Sequence, residues 1–495
     1  MKHKLQQAYN QNKPTLVMVI AWCVMLAGIC GFMFFTLKDG ATFKQAIIPV
    51  LLFAGCVAAV IFIRQPLSGI YILIAGMPIL AADFLNTRVI NMAGMKLDVI
   101  LPAGVLFCLL ISQCKTSMRK TETKFILCVL AVFFIAYLRG MEYALPYLST
   151  DILVTRGSYL RSYVLKDFLY FLPFILICVY FNSERQVELL IKAVFWGITI
   201  LGIFIAVIFV IYIRPLGDFE VSKAYYSVYY SGHPNDIANT FLVAFPLMLG
   251  YAFYRKKAIY YGAVGICLVA IVLLFSRTVY VLVAVATVVF LLMEKKIFLL
   301  IVGAFAGGAS IPVWPDSIKK YAMTLVRGDN LNTLTSGRTE NIWRPLLQEL
   351  SGYSLPRWLF GYGSYGVFKT NSYQAGDIFT IAHAHNVYLN TILDTGLVGL
   401  AVFLVLFVYY LWQFFRASRL TKNPFFSMML RCICMAVVLY LIRGLSGGFF
   451  LPQLSNMYLW ISIGIGIVIL KVESGKGGEQ QDADNKQAQE AGHSI

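Results

Sequence analysis

The stretch that decides the fold is residues 381–413, IAHAHNVYLNTILDTGLVGLAVFLVLFVYYLWQ, in which a polar opening leads into a long, mainly apolar run. A helix needs about 20 mostly apolar residues to cross the hydrocarbon core of a bilayer. The run from 386 onward is long enough for one crossing. The stretch therefore predicts a membrane-spanning helix with two histidines, His383 and His385, at its mouth.

Further runs of this kind fill the rest of the chain. Hydrophobic residues make up 59% of the 495 positions and charged residues only 13%, which is too little polar surface for a soluble protein of this length. The sequence predicts an all-α polytopic membrane protein with about 12–14 transmembrane helices. The apolar runs lie at 16–36, 46–63, 66–82, 97–112, 125–138, 164–181, 189–213, 237–254, 258–275, 278–293, 297–313, 386–413, 426–447 and 455–471.

The net charge of +17 would also suit a nucleic-acid-binding protein. The lysines and arginines, however, cluster in short loops between apolar runs, as in Arg255, Lys256 and Lys257, which is the pattern that orients membrane proteins. We therefore expect no nucleic-acid partner, and we expect both termini to be cytoplasmic.

With that orientation, a segment of about seventy residues, 314–385, becomes a long extracytoplasmic loop. We expect four regions: N-terminal transmembrane helices over 1–213, a core over 214–413 that includes this loop, C-terminal transmembrane helices over 414–471, and a disordered cytoplasmic tail over 472–495.

The histidines are candidates for proton transfer. Asn386 or His385 can cap the helix that follows, and the positive end of a helix dipole disfavours a charged imidazole. A neutral histidine can act as a general base. The alternatives are a capping histidine without chemistry, or a metal ligand; no third ligand lies nearby in the sequence, so we expect no metal.

Several arginines on the predicted outer side are not explained by topology. Arg277 lies in the shortest outer turn, LLFSRTVYVL, and Arg338 begins the loop segment SGRTENIWRPLLQEL. A guanidinium binds phosphate through two parallel hydrogen bonds, so these arginines, together with Arg214 and Arg443, are candidate diphosphate ligands. Snorkelling to lipid headgroups remains the alternative for Arg277, and a solvated helix remains the alternative for Arg338.

The segment GYGSYG, residues 361–366, has the spacing of a dinucleotide-binding loop. No alternation of strand and helix surrounds it, so we interpret Gly361, Gly363 and Gly366 as a tight turn beside the site and not as a nucleotide site.

Taken in order, SGHPNDIANTFLVAFPLML, FSRTVY, SGRTENIW, LFGYGSYGVF and AHNVYLNTILDTGLVGLAVF resemble the motifs of the bacterial O-antigen ligase and polymerase superfamily. The resemblance covers roughly 214–413. It implies a fold like that of the C-type membrane glycosyltransferases, and a donor glycan carried on undecaprenyl pyrophosphate. It also implies an acceptor hydroxyl on lipid A core, on another repeat unit or on a protein. The place of reaction would be the outer face of the cytoplasmic membrane, and neither nucleotide nor metal cofactor is expected.

The resemblance also implies roles for particular residues. His385 matches the family histidine that precedes an asparagine, and Arg277 and Arg338 match its two motif arginines. Asn235, Asn386 and His383 are expected to support them, although His383 has no firm counterpart in the motif. Pro345 departs from the pattern, and we expect it to kink the loop helix.

Three alternatives remain open at this stage. The motifs fit a ligase and a repeat-unit polymerase equally well. A flippase for lipid-linked glycans would use charges inside the membrane, and the best candidate is Asp167, which a local ion pair with Lys166 would explain. A non-catalytic subunit of a polysaccharide export machine would tolerate the loss of His385 and Arg277.

Overall fold

The structure, a computed structural model, describes residues 65–80, 97–112, 118–148, 155–214, 233–310, 337–378 and 383–492, with isolated positions between these ranges. Within these ranges the regular secondary structure is helical throughout, which confirms the all-α class.

Nine apolar helices of the described ranges precede the long loop. They are α1 (Pro66–Leu80), α2 (Leu97–Ile111), α3 (Lys120–Leu148), α4 (Arg156–Tyr180), α5 (Glu184–Ile213), α6 (Pro234–Arg255), α7 (Ala258–Leu273), α8 (Arg277–Met293) and α9 (Ile297–Ser310). The described part of the loop holds a π-helical turn, Thr339–Trp343, followed by α10 (Arg344–Ser351), α11 (Leu355–Phe360), a 3₁₀ turn at Gly366–Lys369 and α12 (Asn371–Gln374). The chain continues with α13 (Val387–Leu420), α14 (Pro424–Arg443) and α15 (Met457–Gly492).

The helices α1–α9 and α13–α15 coincide with twelve of the predicted runs, counted over the described residues. Seven candidate spans in that part of the chain are long and apolar enough to cross a membrane, and five further apolar helices are shorter. These helices confirm a multi-pass membrane protein. The runs predicted at 16–36 and, except for Ile61 and Phe62, at 46–63 lie outside the described residues.

Two helices form the centre of the bundle. In the most apolar segments of α6 and of the first part of α15, about nine-tenths of the residues are buried by protein. A helix that is apolar on all sides belongs inside a bundle, because every face needs an apolar neighbour. Helix α6 packs on α5, α7 and α14, and α15 packs on α4, so helices from all the predicted transmembrane regions share one bundle.

The two ends of the bundle differ in how they hold charge. At one end, which we call the ion-pair face, cations meet carboxylates: Glu188 with Arg255 at 3.4 Å, Glu294 with Arg431 at 3.2 Å, and Glu122 with Lys471 at 2.9 Å. The opposite end, the histidine face, holds Arg338, His385 and Arg443. Arg255, on the ion-pair face, was predicted to lie on the cytoplasmic side, and the orientation itself stays a prediction.

Two details add to the sequence expectations. Helix α15 continues to Gly492, through most of the segment 472–495, and the division of the chain into regions with a disordered tail stays a prediction. Lys166 is an electrostatic neighbour of Asp167, as expected, but it forms its ion pair with another carboxylate. Lys166 lies 3.6 Å from the buried carboxylate of Asp98, and Asp167 accepts a hydrogen bond from the Tyr137 hydroxyl. Sequence neighbours on a helix point in different directions, so each residue finds its partner on another helix.

Candidate functional site

The site begins at the N-terminus of α13, which Asn386 caps. Its side-chain Oδ1 accepts hydrogen bonds from the backbone N–H groups of Tyr388 and Leu389, both at 3.0 Å. Its amide Nδ2 donates to the carbonyl of Leu445 at 3.4 Å. The cap satisfies amides that a helix start otherwise leaves unpaired, and it ties the start of α13 to the end of α14.

Ala384, between the two histidines, is held from both sides. The indole Nε1 of Trp343 donates to the Ala384 carbonyl at 2.9 Å, and the Ala384 N–H donates to Oδ1 of Asn390 at 3.2 Å. Asn390 in turn donates to the buried carboxylate of Asp394 at 2.8 Å. The π-helical turn, through Trp343, and α13, through Asn390, therefore fix the backbone that carries both imidazoles.

The two imidazoles are in contact. Their ring centroids are 4.1 Å apart with an interplanar angle of 76°, and His383 also meets the ring of Phe449 edge-on at 5.3 Å. The backbone N–H of His385 lies 3.4 Å from Nδ1 of His383, which assigns the acceptor role to that nitrogen. His385 has φ +51°, a left-handed conformation that is costly for a side chain with a Cβ and that occurs at functional sites.

Both histidines are neutral near pH 7. Burial, followed by the charge of Arg338 and then His233, lowers the pKa of His383 to about 4. Burial, followed by the neighbouring His383 and then Arg338, lowers the pKa of His385 to about 2. The neutral state that the sequence predicts is thus favoured mainly by burial and by positive neighbours.

Two of the predicted arginines converge on one residue. Nη1 of Arg338 donates to the carbonyl of Ser446 at 2.7 Å, and Nη1 of Arg443 donates to the hydroxyl of Ser446, also at 2.7 Å. Arg443 is only 5% exposed, and its Nε has no hydrogen-bond partner among the described residues. A buried guanidinium with hydrogen-bonding capacity to spare is suited to binding an anion.

Arg277 is the first residue of α8, beside this pair of arginines. Its neighbour Thr278 accepts a hydrogen bond from the Ser446 hydroxyl at 3.3 Å. The start of α8, with its positive dipole end, therefore lies at the two guanidinium groups. Arg277 and His385 lie on the same face of the bundle.

The fourth predicted arginine, Arg214, follows the π-helical turn at the end of α5 and is exposed. Within that turn, Phe209 lies 6.2 Å from the ring of Phe275, two residues before Arg277. Arg214 is therefore on the histidine face, but none of the described contacts connects it with Ser446 or the histidines.

Near Asn235, the residues placed at the site are its neighbours His233 and Asp236. His233 caps α6, with its Nδ1 accepting from the Asn235 N–H at 3.2 Å. Asp236, one residue further, is an electrostatic neighbour of Arg443 and Arg338. The sequence analysis did not single out Asp236, although it directly follows the motif asparagine.

The glycine loop, Gly361–Gly366, is inserted between two helices instead of lying above them. Its Tyr362 and Gly363 N–H groups donate to the carbonyls of Leu393 and Asp394 at 2.7 and 2.8 Å, and the Gly366 N–H donates to Oδ1 of Asp394 at 2.8 Å. These carbonyls are accessible because α13 is broken at Gly396, which has φ +68°. The loop is thus a fixed wedge, and the interpretation as a simple turn is incomplete.

Helix α3 fixes the other side of the wedge. Arg139 donates to the carbonyls of Phe360 and Gly361 at 2.6 and 2.8 Å, and the Tyr143 hydroxyl donates to the carbonyl of Gly363 at 2.8 Å. A Cβ on Gly140 would overlap the backbone of Ser364. Arg139 is therefore a structural residue that satisfies carbonyls of the inserted loop.

Pro345 is the second residue of α10, directly after the π-helical turn Thr339–Trp343, and helical residues continue through it to Ser351. The kink expected at Pro345 stays a prediction. Arg344 points away from the site and pairs with Glu340 on the exposed surface at 2.8 Å.

Sequence reasoning missed the residues that hold the site together, namely Ser446, Trp343, Asn390 and Asp394. Buried polar residues inside an apolar helix, such as Asn390 and Asp394, were the available indication. In the described part of the chain there is no group of three or more His, Cys, Asp or Glu side chains arranged to hold a metal. The expectation of metal-independent chemistry stays a prediction.

A family model described as O-antigen ligase matches residues 262–404, from α7 into α13. This region contains Arg277, Arg338, the glycine loop and both histidines, whereas Asp236, Arg443 and Ser446 lie outside it. A comparison with curated proteins finds no match. The family match implies, in general terms, O-antigen ligase-like activity of a membrane glycosyltransferase on lipid-linked glycans. Over residues 262–404, the chain is similar to the O-antigen ligase family.

Proposed function

We propose that the protein transfers a glycan from undecaprenyl pyrophosphate to an acceptor hydroxyl, on lipid A core or a similar glycolipid, at the outer face of the cytoplasmic membrane. In this orientation both termini are cytoplasmic and the histidine face is extracytoplasmic. The observation that carries the proposal is the convergence of Arg338 and Arg443 on Ser446, beside two neutral histidines.

The arginines would bind the diphosphate. Two guanidiniums with Nη atoms held at one residue repel each other, and the single carboxyl of Asp236 offsets only part of that repulsion. A diphosphate would supply further negative charge with matching oxygen geometry. As the bond from the anomeric carbon to the diphosphate breaks, negative charge grows on the leaving oxygen. Fixed cations stabilise that charge most when the site excludes water, and the burial of Arg443 meets this condition. Arg277, at the start of α8, would complete the clamp, with Arg214 nearer the entrance.

His385 would accept the proton of the acceptor hydroxyl. The hydroxyl oxygen attacks the anomeric carbon, its proton passes to the imidazole, and the carrier diphosphate leaves with the bonding electron pair. This displacement inverts the anomeric centre. With a pKa of about 2, the free imidazole is a weak base. A bound diphosphate would offset the charge of Arg338 and raise that pKa, so that the base gains strength only when donor is present.

The arginines would also take the place of a metal. A diphosphate leaving group needs its charge neutralised, and in many enzymes Mg²⁺ does this. Here guanidiniums would do so, and transfer should continue in the presence of EDTA. A requirement for added divalent cations would contradict this part of the proposal.

The test is complementation of a deletion strain. Wild type and Arg344→Ala should restore the surface glycan, because Arg344 pairs with Glu340 away from the site. Arg338→Ala and His385→Ala should not restore it at equal protein level in the membrane. Restoration by both site variants would contradict the enzyme proposal and favour a non-catalytic subunit.

The same strains separate a ligase from a polymerase. If the protein is a ligase, carrier-linked long chains accumulate when it is absent. If it is a polymerase, single repeat units remain. The glycan profile of the deletion strain therefore decides between the two substrate pairs that the family motifs allow.

A further inference from the structure

A second, smaller site adjoins the arginines and histidines. A cavity of about 230 Å³ lies between α4, α6, the glycine loop and the turn before α15. Asp236 lines it and is at the same time an electrostatic neighbour of Arg338 and Arg443. A ligand in this cavity would therefore lie next to a ligand bound by Arg338 and Arg443.

Two buried hydroxyls in the cavity wall indicate that it receives a polar ligand. Tyr230 is 2% exposed and Ser455 is 8% exposed, and both line the cavity. The hydroxyl oxygen of each has no hydrogen-bond partner among the described residues. Buried polar groups are ordinarily hydrogen-bonded, so a pair without partners in one cavity points to an occupant that supplies them.

The rest of the lining indicates the chemistry of that occupant. The rings of Tyr163 and Tyr365 meet edge-on, with centroids 5.7 Å apart. Tyr365 has φ +65°, and the inserted glycine loop holds it in this strained conformation. Aromatic faces combined with a few placed polar groups are typical of small-molecule sites, and this cavity is below the range of roughly 300–1,000 Å³ for drug-sized ligands.

The charges of the lining argue against a second phosphate. The cavity has one ammonium, Lys166, against two carboxyls, Asp167 and Asp236, so it offers donors and acceptors without net positive charge. An anionic group is better placed at Arg338 and Arg443. An uncharged ligand with several hydroxyls fits the cavity better.

We propose that this cavity binds one pyranose ring of a glycan substrate, next to the diphosphate. The proposal rests on the proposed function for the identity of that glycan. The ring belongs either to the donor, adjacent to its diphosphate, or to the acceptor, and both present the same hydroxyl groups and apolar ring faces. The inserted glycine loop thereby gains a role, because it delivers Tyr365 to the cavity wall.

The first test measures binding of free sugars to the purified, full-length protein. Glucose, galactose, mannose, rhamnose, N-acetylglucosamine and N-acetylgalactosamine are titrated while thermal unfolding is followed. At least one should raise the Tm with a saturable concentration dependence. Tyr230→Phe and Ser455→Ala should each weaken that binding about tenfold, the effect of one lost hydrogen bond.

The matched control is Ser462→Ala. Ser462 is fully buried in α15, its hydroxyl also has no hydrogen-bond partner among the described residues, and it does not line the cavity. It should bind sugar like wild type. If no sugar stabilises wild type, or if the cavity variants respond as Ser462→Ala does, the cavity holds water only and the proposal is wrong.

The second test separates the two sources of the ring. In a transfer assay with carrier-linked glycan, Tyr230→Phe should raise KM for the donor if the ring is the donor's, and KM for the acceptor if it is the acceptor's. Unchanged KM values for both would overturn the proposal. If wild type transfers no glycan at all, the proposed function fails, while the binding test still decides whether the cavity takes a sugar.

Discussion

Two arginines of the histidine face are held differently from the cations of the ion-pair face. On the ion-pair face, Arg255, Arg431 and Lys471 each lie within 4.0 Å of a glutamate, which satisfies the charge inside the protein. On the histidine face, the described hydrogen bonds of Arg338 and Arg443 go to a carbonyl and a hydroxyl of Ser446. The first arrangement stabilises a fold. In the second, two guanidiniums have Asp236 as a common electrostatic neighbour, so the cations outnumber this carboxyl, and the histidines beside them stay neutral.

The largest expected effect comes from replacing an arginine of the histidine face by lysine. The same replacement on the ion-pair face is the control. Arg443→Lys keeps a positive group but loses the planar fork, so transfer should fall about a hundredfold or more. Arg431→Lys, on the same helix but paired with Glu294, should keep near wild-type transfer. Initial transfer rates at equal protein amounts measure both. Equal rates for the two variants would remove the distinction between the faces.

The inserted glycine loop gives the next largest effect. Gly140→Ala forces a methyl group against the backbone of Ser364 and should lower the free energy of unfolding by about 1–3 kcal/mol, with a loss of transfer. In Gly262→Ala the new methyl has nothing within 4 Å, and the change should be neutral or slightly stabilising. Thermal unfolding of both variants compares a close approach with open space. Equal stability of the two variants would contradict the close packing of the glycine loop against α3.

A smaller effect is expected on the ion-pair face. Arg255→Ala removes the partly exposed partner of Glu188, and such pairs contribute at most about 1 kcal/mol. Transfer should be unchanged. A large loss of transfer, measured at equal membrane levels, would show that the ion-pair face participates in the reaction and would weaken the division between the faces.

The smallest effect concerns pH. Because the pKa values of His383 and His385 are about 4 and 2, neither imidazole in the free protein gains a proton between pH 8 and 5. Accordingly, kcat/KM, which reports the free enzyme, should show no histidine inflection near pH 6.5. An inflection there that disappears in His383→Gln would mean that this imidazole is solvated and ordinary.

The same shifts have a consequence for stability, with a definite sign. Below about pH 6.5 the unfolded chain takes up protons on these histidines that the folded site does not bind. The free energy of unfolding should therefore decrease as pH falls from 7 to 5. Replacing His383 with glutamine should reduce that slope, as unfolding at several pH values would reveal.

The sequence predicted the helices well because hydropathy is a local property. Twelve predicted runs match helices, and the start of α13 at Asn386 was readable from its polar side chain. The histidine pair and Arg338 were also readable, since they stand out against an apolar chain.

What the sequence did not reveal depends on contacts between distant segments. The pairing of Lys166 with Asp98, the meeting of Arg338 and Arg443 at Ser446, and the insertion of the glycine loop beside Gly396 each join residues that lie far apart in the chain. Residue type alone does not specify such partners. The role of GYGSYG in particular depends on a break in α13 that hydropathy does not record.

The most direct test is a structure determined with undecaprenyl pyrophosphate bound. The diphosphate should lie within hydrogen-bonding distance of the Arg338 and Arg443 guanidiniums, with His385 facing the terminal phosphate, where the glycan would be attached. A diphosphate bound at the ion-pair face, or on the histidine face but out of reach of both guanidiniums, would contradict the proposed function of these residues.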